Sequence, residues 1–114
     1  MKLTILKSKI HYGRLTGADI NYEGSIGLSR ELLDAAGILP YEQVLVANAE
    51  NGARLWTYAI VLDEPGQIVL NGAAAHYGKT GDRVIIMAFA EMTAEEAAGH
   101  KPIVIKPGAG NAII

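Results

Sequence analysis

Gly24 and Ser25 are the residues of this chain best placed to do chemistry on the chain itself. A serine hydroxyl can attack the carbonyl of the residue before it. A glycine there lacks a Cβ and permits the strained backbone that such an N-to-O acyl shift requires. The product is an ester. Elimination leaves dehydroalanine, which hydrolyses to ammonia and a pyruvoyl group on a new amino terminus, so a cut between these residues would create a built-in carbonyl cofactor. The alternative is a serine in an ordinary turn, the more common setting of Gly-Ser.

Other residues of chemical interest surround this dipeptide. They are Lys9, His11, Tyr22-Glu23, Asp34-Ala35-Ala36-Gly37-Ile38, Asn51-Gly52, Arg54, Thr57-Tyr58-Ala59-Ile60 and Asn71-Gly72-Ala73-Ala74-Ala75-His76. In this order and combination they closely resemble the pyruvoyl-dependent aspartate 1-decarboxylases, over nearly the whole chain. The resemblance implies self-cleavage of the single domain 1–114 into pieces 1–24 and 25–114. It further implies decarboxylation of L-aspartate at C1, through a Schiff base to the pyruvoyl group, to β-alanine and CO2 for pantothenate. A cytoplasmic homotetramer with sites between subunits goes with it, and in some relatives a maturation factor.

By the same resemblance Ser25 is consumed to become the catalytic group and Tyr58 returns a proton to Cα after CO2 leaves. Thr57 would donate to the oxygen of the processing intermediate. Arg54 and Lys9 would bind substrate carboxylates, with His11 at the pocket edge, and Asn71, Gly72, Ala73 and Ala74 would contact substrate or cofactor. Tyr22 and Ile86 would support the pocket.

Residue chemistry bears on these roles separately. Decarboxylation leaves an electron pair that no ordinary side chain absorbs, so the reaction needs an electron sink; a pyruvoyl ketone is one, and no pyridoxal phosphate is then needed. Arginine offers a carboxylate a rigid fork of donors, although a surface arginine would look the same. Lys9 and His11 share a face of a regular strand, as solvated edge residues also would. Thr57 and Tyr58 are adjacent, so a regular strand points them to opposite faces; a site drawing on two subunits would relieve that tension. Asn71 is equally a helix cap, and Ile86 equally a core residue.

Composition sets outer limits. The chain has 114 residues, half of them hydrophobic, a formal net charge of −2 and no cysteine. It is one small domain for which oligomerisation would add burial. Disulfides and thiol chemistry are excluded. Scattered charges give neither a nucleic-acid stripe nor a membrane patch, and no apolar run reaches membrane-spanning length. His11, His76 and His100 form no ligand-spaced pair with a carboxylate, which argues against a metal.

The elements that must position these residues are mostly strands. Apolar, β-branched runs mark Leu3–Ile10, Gln43–Asn48, Arg54–Val61, Gln67–Leu70, Arg83–Ala90 and Ile103–Ile105, with strands near Leu15–Glu23 and Ile26–Leu28 bracketing residues 24 and 25. Asn51-Gly52 signals a tight hairpin whose two central residues both take positive φ. Ser29 and Gly37 bound a short helix over Arg30–Ala36. Thr93 and Glu96 form a capping box ahead of Gly99, and Asn71–Tyr77 reads as a further turn. Helices this short cannot cover a large parallel sheet, so the pattern predicts a small, mainly β barrel; the resemblance makes it a six-stranded double-psi barrel with short helical connections. An internal echo aligns Ala35, Glu42, Val44, Leu45 and Val46 with Ala75, Asp82, Val84, Ile85 and Ile86. Lys106–Gly110 is expected to begin a loose tail.

Two other functions fit the residues. A non-catalytic barrel or an unprocessed precursor would keep the 24–25 bond intact, and an amino-terminal serine hydrolase would cut it but retain the serine. Ile26, immediately after the serine, departs from the family pattern and bears on the rate of self-cleavage.

Overall fold

The apolar runs become strands in a computed structural model that describes residues 1–114. They are β1 (Lys2–Arg14), β2 (Gly17–Asp19), β3 (Ser25–Ser29), β4 (Gln43–Asn48), β5 (Arg54–Leu62), β6 (Ile68–Asn71), β7 (Arg83–Thr93) and β8 (Ile103–Ile105). The strand expected over Leu15–Glu23 shrinks to β2. Asp19 ends it: its carboxylate accepts from the Asn21 N–H and its carbonyl from the Tyr22 N–H, so the chain turns and leaves Tyr22–Gly24 as an exposed loop.

Capping follows the sequence closely. Helix α1 (Arg30–Ala36) begins where the Ser29 hydroxyl accepts from the Leu32 N–H and ends at Gly37, left-handed at φ 67°. Helix α2 (Ala94–Ala98) opens with the reciprocal Thr93–Glu96 capping box. Residues Gly72–Tyr77 form a 3-10 turn. The hairpin between β4 and β5 differs from expectation, because only Gly52 has positive φ (76°). Asn48 and Asn51 carboxamide oxygens accept from the Glu50 and Ala53 N–H groups, which widens the connection beyond a two-residue turn.

All eight strands join one sheet in the order β2-β6-β3-β5-β4-β7-β1-β8. β1 runs into β2 through Leu15 and Thr16 alone, so one bent strand supplies both ends of the β2-to-β1 series and curls the sheet on itself. Counted this way the series has six runs rather than eight, with β8 added to the outer edge of β1. This is a mainly β arrangement compatible with a double-psi barrel. Its interior is one apolar cluster in which Ile10, Ile26, Leu28, Val44, Val46, Ile68, Val84 and Ile86 are fully buried. Each such side chain contributes roughly 1.5–3 kcal/mol relative to exposure.

The internal echo is a structural symmetry. Val46 pairs with its own counterpart Ile86 across the β4–β7 ladder, with Leu45 opposite Met87 and Ala47 opposite Ile85, the pattern of a local twofold axis through that pair. The preceding loops match bond for bond. Tyr41 N–H donates to Ala59 O and Ala59 N–H to Glu42 O; in the other half Gly81 N–H donates to Leu15 O and Leu15 N–H to Asp82 O. Each acid closes its own loop, Glu42 accepting from the Leu39 N–H and Asp82 from the Lys79 N–H.

The expected loose tail is instead tied down. Residues Ala109–Asn111 form a 3-10 turn, and buried Asn111 accepts from the Arg14 N–H while donating to the carbonyls of Arg14 and Gly66. Three side-chain hydrogen bonds from one residue outweigh the turn-prone composition of Pro107–Gly110.

Candidate active site

The 24–25 bond lies where an exposed loop becomes a buried strand. Gly24 is exposed, whereas Ser25, the first residue of β3, is 1% exposed. β3 runs antiparallel to β6, with Ser25 opposite Asn71, and parallel to β5, with Ile26 opposite Ala59. Extending the second register back sets Tyr58 beside Ser25 and Thr57 beside Gly24.

The Ser25 hydroxyl is clasped from two sides. It donates to the Glu23 carbonyl at 3.0 Å and accepts from Asn71 Nδ2 at 3.1 Å. Asn71 makes no cap to the turn that follows it; its amide serves the serine instead. The expected backbone strain is not at Gly24, whose φ is not positive and around whose Cβ position nothing lies within 4 Å. It is at Gly72. With φ 63°, Gly72 lets its backbone press against the loop so closely that a Cβ would fall 2.7 Å from Gly24 N and 2.8 Å from both Gly24 Cα and Tyr22 O. Gly72 thus acts as a buttress for the loop.

Two cavities meet here. One, of about 520 Å³, is lined by Gly24, Arg54, Thr57, Tyr58, Ala73 and Ala74 among others. The second, of about 250 Å³, adjoins Ser25 and is walled by Tyr22, Glu23, Pro40, Tyr41 and Tyr58. Thr57 and Tyr58 therefore line one cavity within a single chain, despite their adjacency. The reason is an open edge: β3 pairs only with residues 59–62 of β5, so Arg54–Tyr58 have β4 on one side and space on the other.

Three expected site residues lie elsewhere in the chain. Lys9 and His11 sit on β1, separated from β5 in the sheet by β4 and β7, and neither lines the two cavities. Ile86 is fully buried between Val46 and Ile10 and belongs to the core. His11 Nδ1 is buried without a partner. Burial, reinforced by the charges of Lys9 and Lys106, holds its pKa below the ordinary 6.5. No group of three His, Asp or Glu side chains stands together as a metal site.

Comparison with known proteins gives this geometry a family. The aspartate decarboxylase family model matches residues 1–114. The chain belongs to the aspartate decarboxylase family. An aspartate 1-decarboxylase of Ruminiclostridium cellulolyticum is 53% identical over 92% of this chain and 83% of its own length. One of Maricaulis maris is 48% identical over 100% and 95%, and one of Acaryochloris marina 51% over 100% and 88%. As a member of the aspartate decarboxylase family the protein is an enzyme, a lyase of the decarboxylase class. No helix is long and apolar enough to cross a membrane.

Sequence reasoning missed Pro40 and Tyr41 as cavity residues. The internal echo held a signal for Tyr41, because it aligns this tyrosine with Gly81 and thereby hints at a left-handed backbone.

Proposed function

We propose that the chain cuts itself between Gly24 and Ser25 and then decarboxylates L-aspartate at C1 to β-alanine and CO2, in the cytoplasm and toward pantothenate. The observation that carries this reading is the buried Ser25 hydroxyl clasped by Glu23 O and Asn71 Nδ2 at the foot of an exposed loop. Attack of Oγ on the Gly24 carbonyl moves the acyl group from nitrogen to oxygen. Loss of the Ser25 α-proton then expels the Gly24 carboxylate, and one water releases the nitrogen as ammonia. Thr57, beside Gly24 in register, is placed to donate to the oxyanion of the first step.

The residues present suit a pyruvoyl group at position 25. Asn71 Nδ2, freed from the serine oxygen, offers a donor to a carbonyl there, and cavity space opens on that side. The pyruvoyl group supplies a ketone to capture the substrate amine and a sink for the electron pair left at Cα. Arg54 orients a substrate carboxylate with its planar fork. Tyr58, beside position 25, returns the proton to Cα. Ala73 and Ala74 keep side-chain bulk out of the cavity wall.

Lys9 and His11 enter this scheme only from a second subunit, since one chain holds them on a remote strand. A homotetramer with sites between subunits accommodates this. Whether cleavage is spontaneous or assisted by a maturation factor bears on rate, not on the chemistry.

The intact mass of purified protein tests the proposal. Two fragments split between residues 24 and 25 are expected, the larger lighter by one ammonia than a serine-terminated piece, together with β-alanine formation from aspartate. A larger fragment that retains serine at its terminus, or a stable full-length chain without turnover, would sink it.

A further inference from the structure

We propose that Tyr41 is a positioning residue for Tyr58, held in a strained backbone so that its ring walls the cavity at Ser25. The inference rests on the proton-donor role proposed for Tyr58.

The two related loops supply the argument. Both need a left-handed residue just before the acid, because the N–H at that position must reach across to Ala59 O in one loop and Leu15 O in the other. In the second loop the residue is Gly81, at φ 97°, which adopts this backbone without penalty. In the first it is Tyr41, at φ 71°. A bulky side chain at positive φ is a true outlier, so some other gain must offset the strain.

Burial does not provide that gain, since Tyr41 is 78% exposed. What the ring touches does. Its centroid lies 6.3 Å from that of Tyr58 at a 37° tilt, within the range of favourable aromatic pairs. Both rings line the cavity that contains Ser25. Tyr58 stands on the stretch of β5 that β3 does not cover. Tyr41 supplies a wall there, which limits the phenol to the orientations that face position 25.

Glycine, leucine and phenylalanine at position 41, each in enzyme whose cleavage is verified by mass, test this. Tyr41→Gly relieves the strain and removes the ring, so Tm is expected to hold or rise while kcat for aspartate falls about 10-fold with KM little changed. Tyr41→Leu should also lose kcat, and Tyr41→Phe should restore it. Full kcat in Tyr41→Gly, or a kcat loss that only tracks a falling Tm, overturns the proposal. A second readout does not depend on turnover. In uncleaved Ser25→Ala protein, Tyr41→Gly should shift the ring resonances of isotope-labelled Tyr58. Unmoved resonances overturn the positioning role even if aspartate chemistry is sound, whereas an inactive wild type with shifted resonances faults the proposed reaction and leaves the tyrosine pairing standing.

Discussion

β5 against β4 and β1 against β7 are the same strand pair built twice, and only β5 of the first pair lines the two cavities beside Gly24 and Ser25. Ala47 faces Arg54 across its ladder, and its counterpart Met87 faces Lys9; Leu45 faces Trp56, and Ile85 faces His11. Arg54 and Lys9, the two cations expected to hold carboxylates, therefore occupy equivalent positions in the two halves. Their separation within one chain follows from that symmetry. The halves differ at the outer edge. β8 covers Ser8–Ile10 of β1, but no strand pairs with the equivalent stretch of β5 around Arg54, and a cavity separates it from Gly24, Ala73 and Ala74. Leaving a strand edge unpaired exposes donors and acceptors, and here that edge borders the loop that ends at Gly24.

The loops before β4 and β7 repeat the lesson. Asp82 is 5% exposed and gathers bonds from Asn48 Nδ2, the Lys79 N–H and Lys79 Nζ, which hold its carboxyl below the usual range. Glu42, more open to solvent, pairs with Lys7 and the Leu39 N–H. The loop before β7 is the more firmly anchored of the two.

The sharpest way to break the half beside Ser25 is Gly72→Ala. The added methyl would collide with Gly24 and Tyr22 backbone and sit at a positive φ that alanine resists. Self-cleavage should slow at least about 10-fold, since the attack depends on placement to within an ångström. Normal cleavage kinetics by mass spectrometry would remove Gly72 from the processing machinery.

A smaller effect separates the two acids. Asp82→Ala leaves one of the two Asn48 amide N–H groups and the Lys79 N–H without an acceptor, and thermal denaturation should show Tm lower by on the order of 5 °C. Glu42→Ala should cost less, because its partners remain closer to water. Equal losses would mean that the two halves share stability evenly.

The smallest expected effect concerns His11 on β1. The native state holds this imidazole's pKa down, so the unfolded chain binds the extra proton, and stability falls as pH drops through about 6.5. The depressed carboxyls of Glu50, Asp82 and Glu96 act only at lower pH, losing their contribution as they protonate below about 4.5. Tm of the wild type should therefore decline between pH 7.5 and 5.5, and His11→Gln should flatten that decline. Parallel slopes would show that His11 titrates no differently in the folded chain.

Local chemistry made much of the molecule legible in its sequence. Ser29, Gly37, Thr93 and Glu96 bound their helices as written, because a cap is decided by a side chain and the backbone within a turn of it. The apolar runs marked the strands, and the echo of Val44–Val46 in Val84–Ile86 foreshadowed the twofold pairing of Val46 with Ile86. The order of motifs identified the family.

Long-range contact decided the rest. That Asn71 serves Ser25 rather than a helix end depends on β6 lying beside β3, a pairing between distant parts of the chain. Thr57 and Tyr58 line one cavity because β3 stops short beside β5, which no local pattern encodes. Asn111 converted an expected tail into an anchored turn by reaching Arg14 and Gly66. Left-handed backbone fell on Gly72 and Tyr41 rather than Gly24, because φ there is set by how closely separate segments pack. Residue types determined which groups could react, and the pairing of distant strands determined which of them meet.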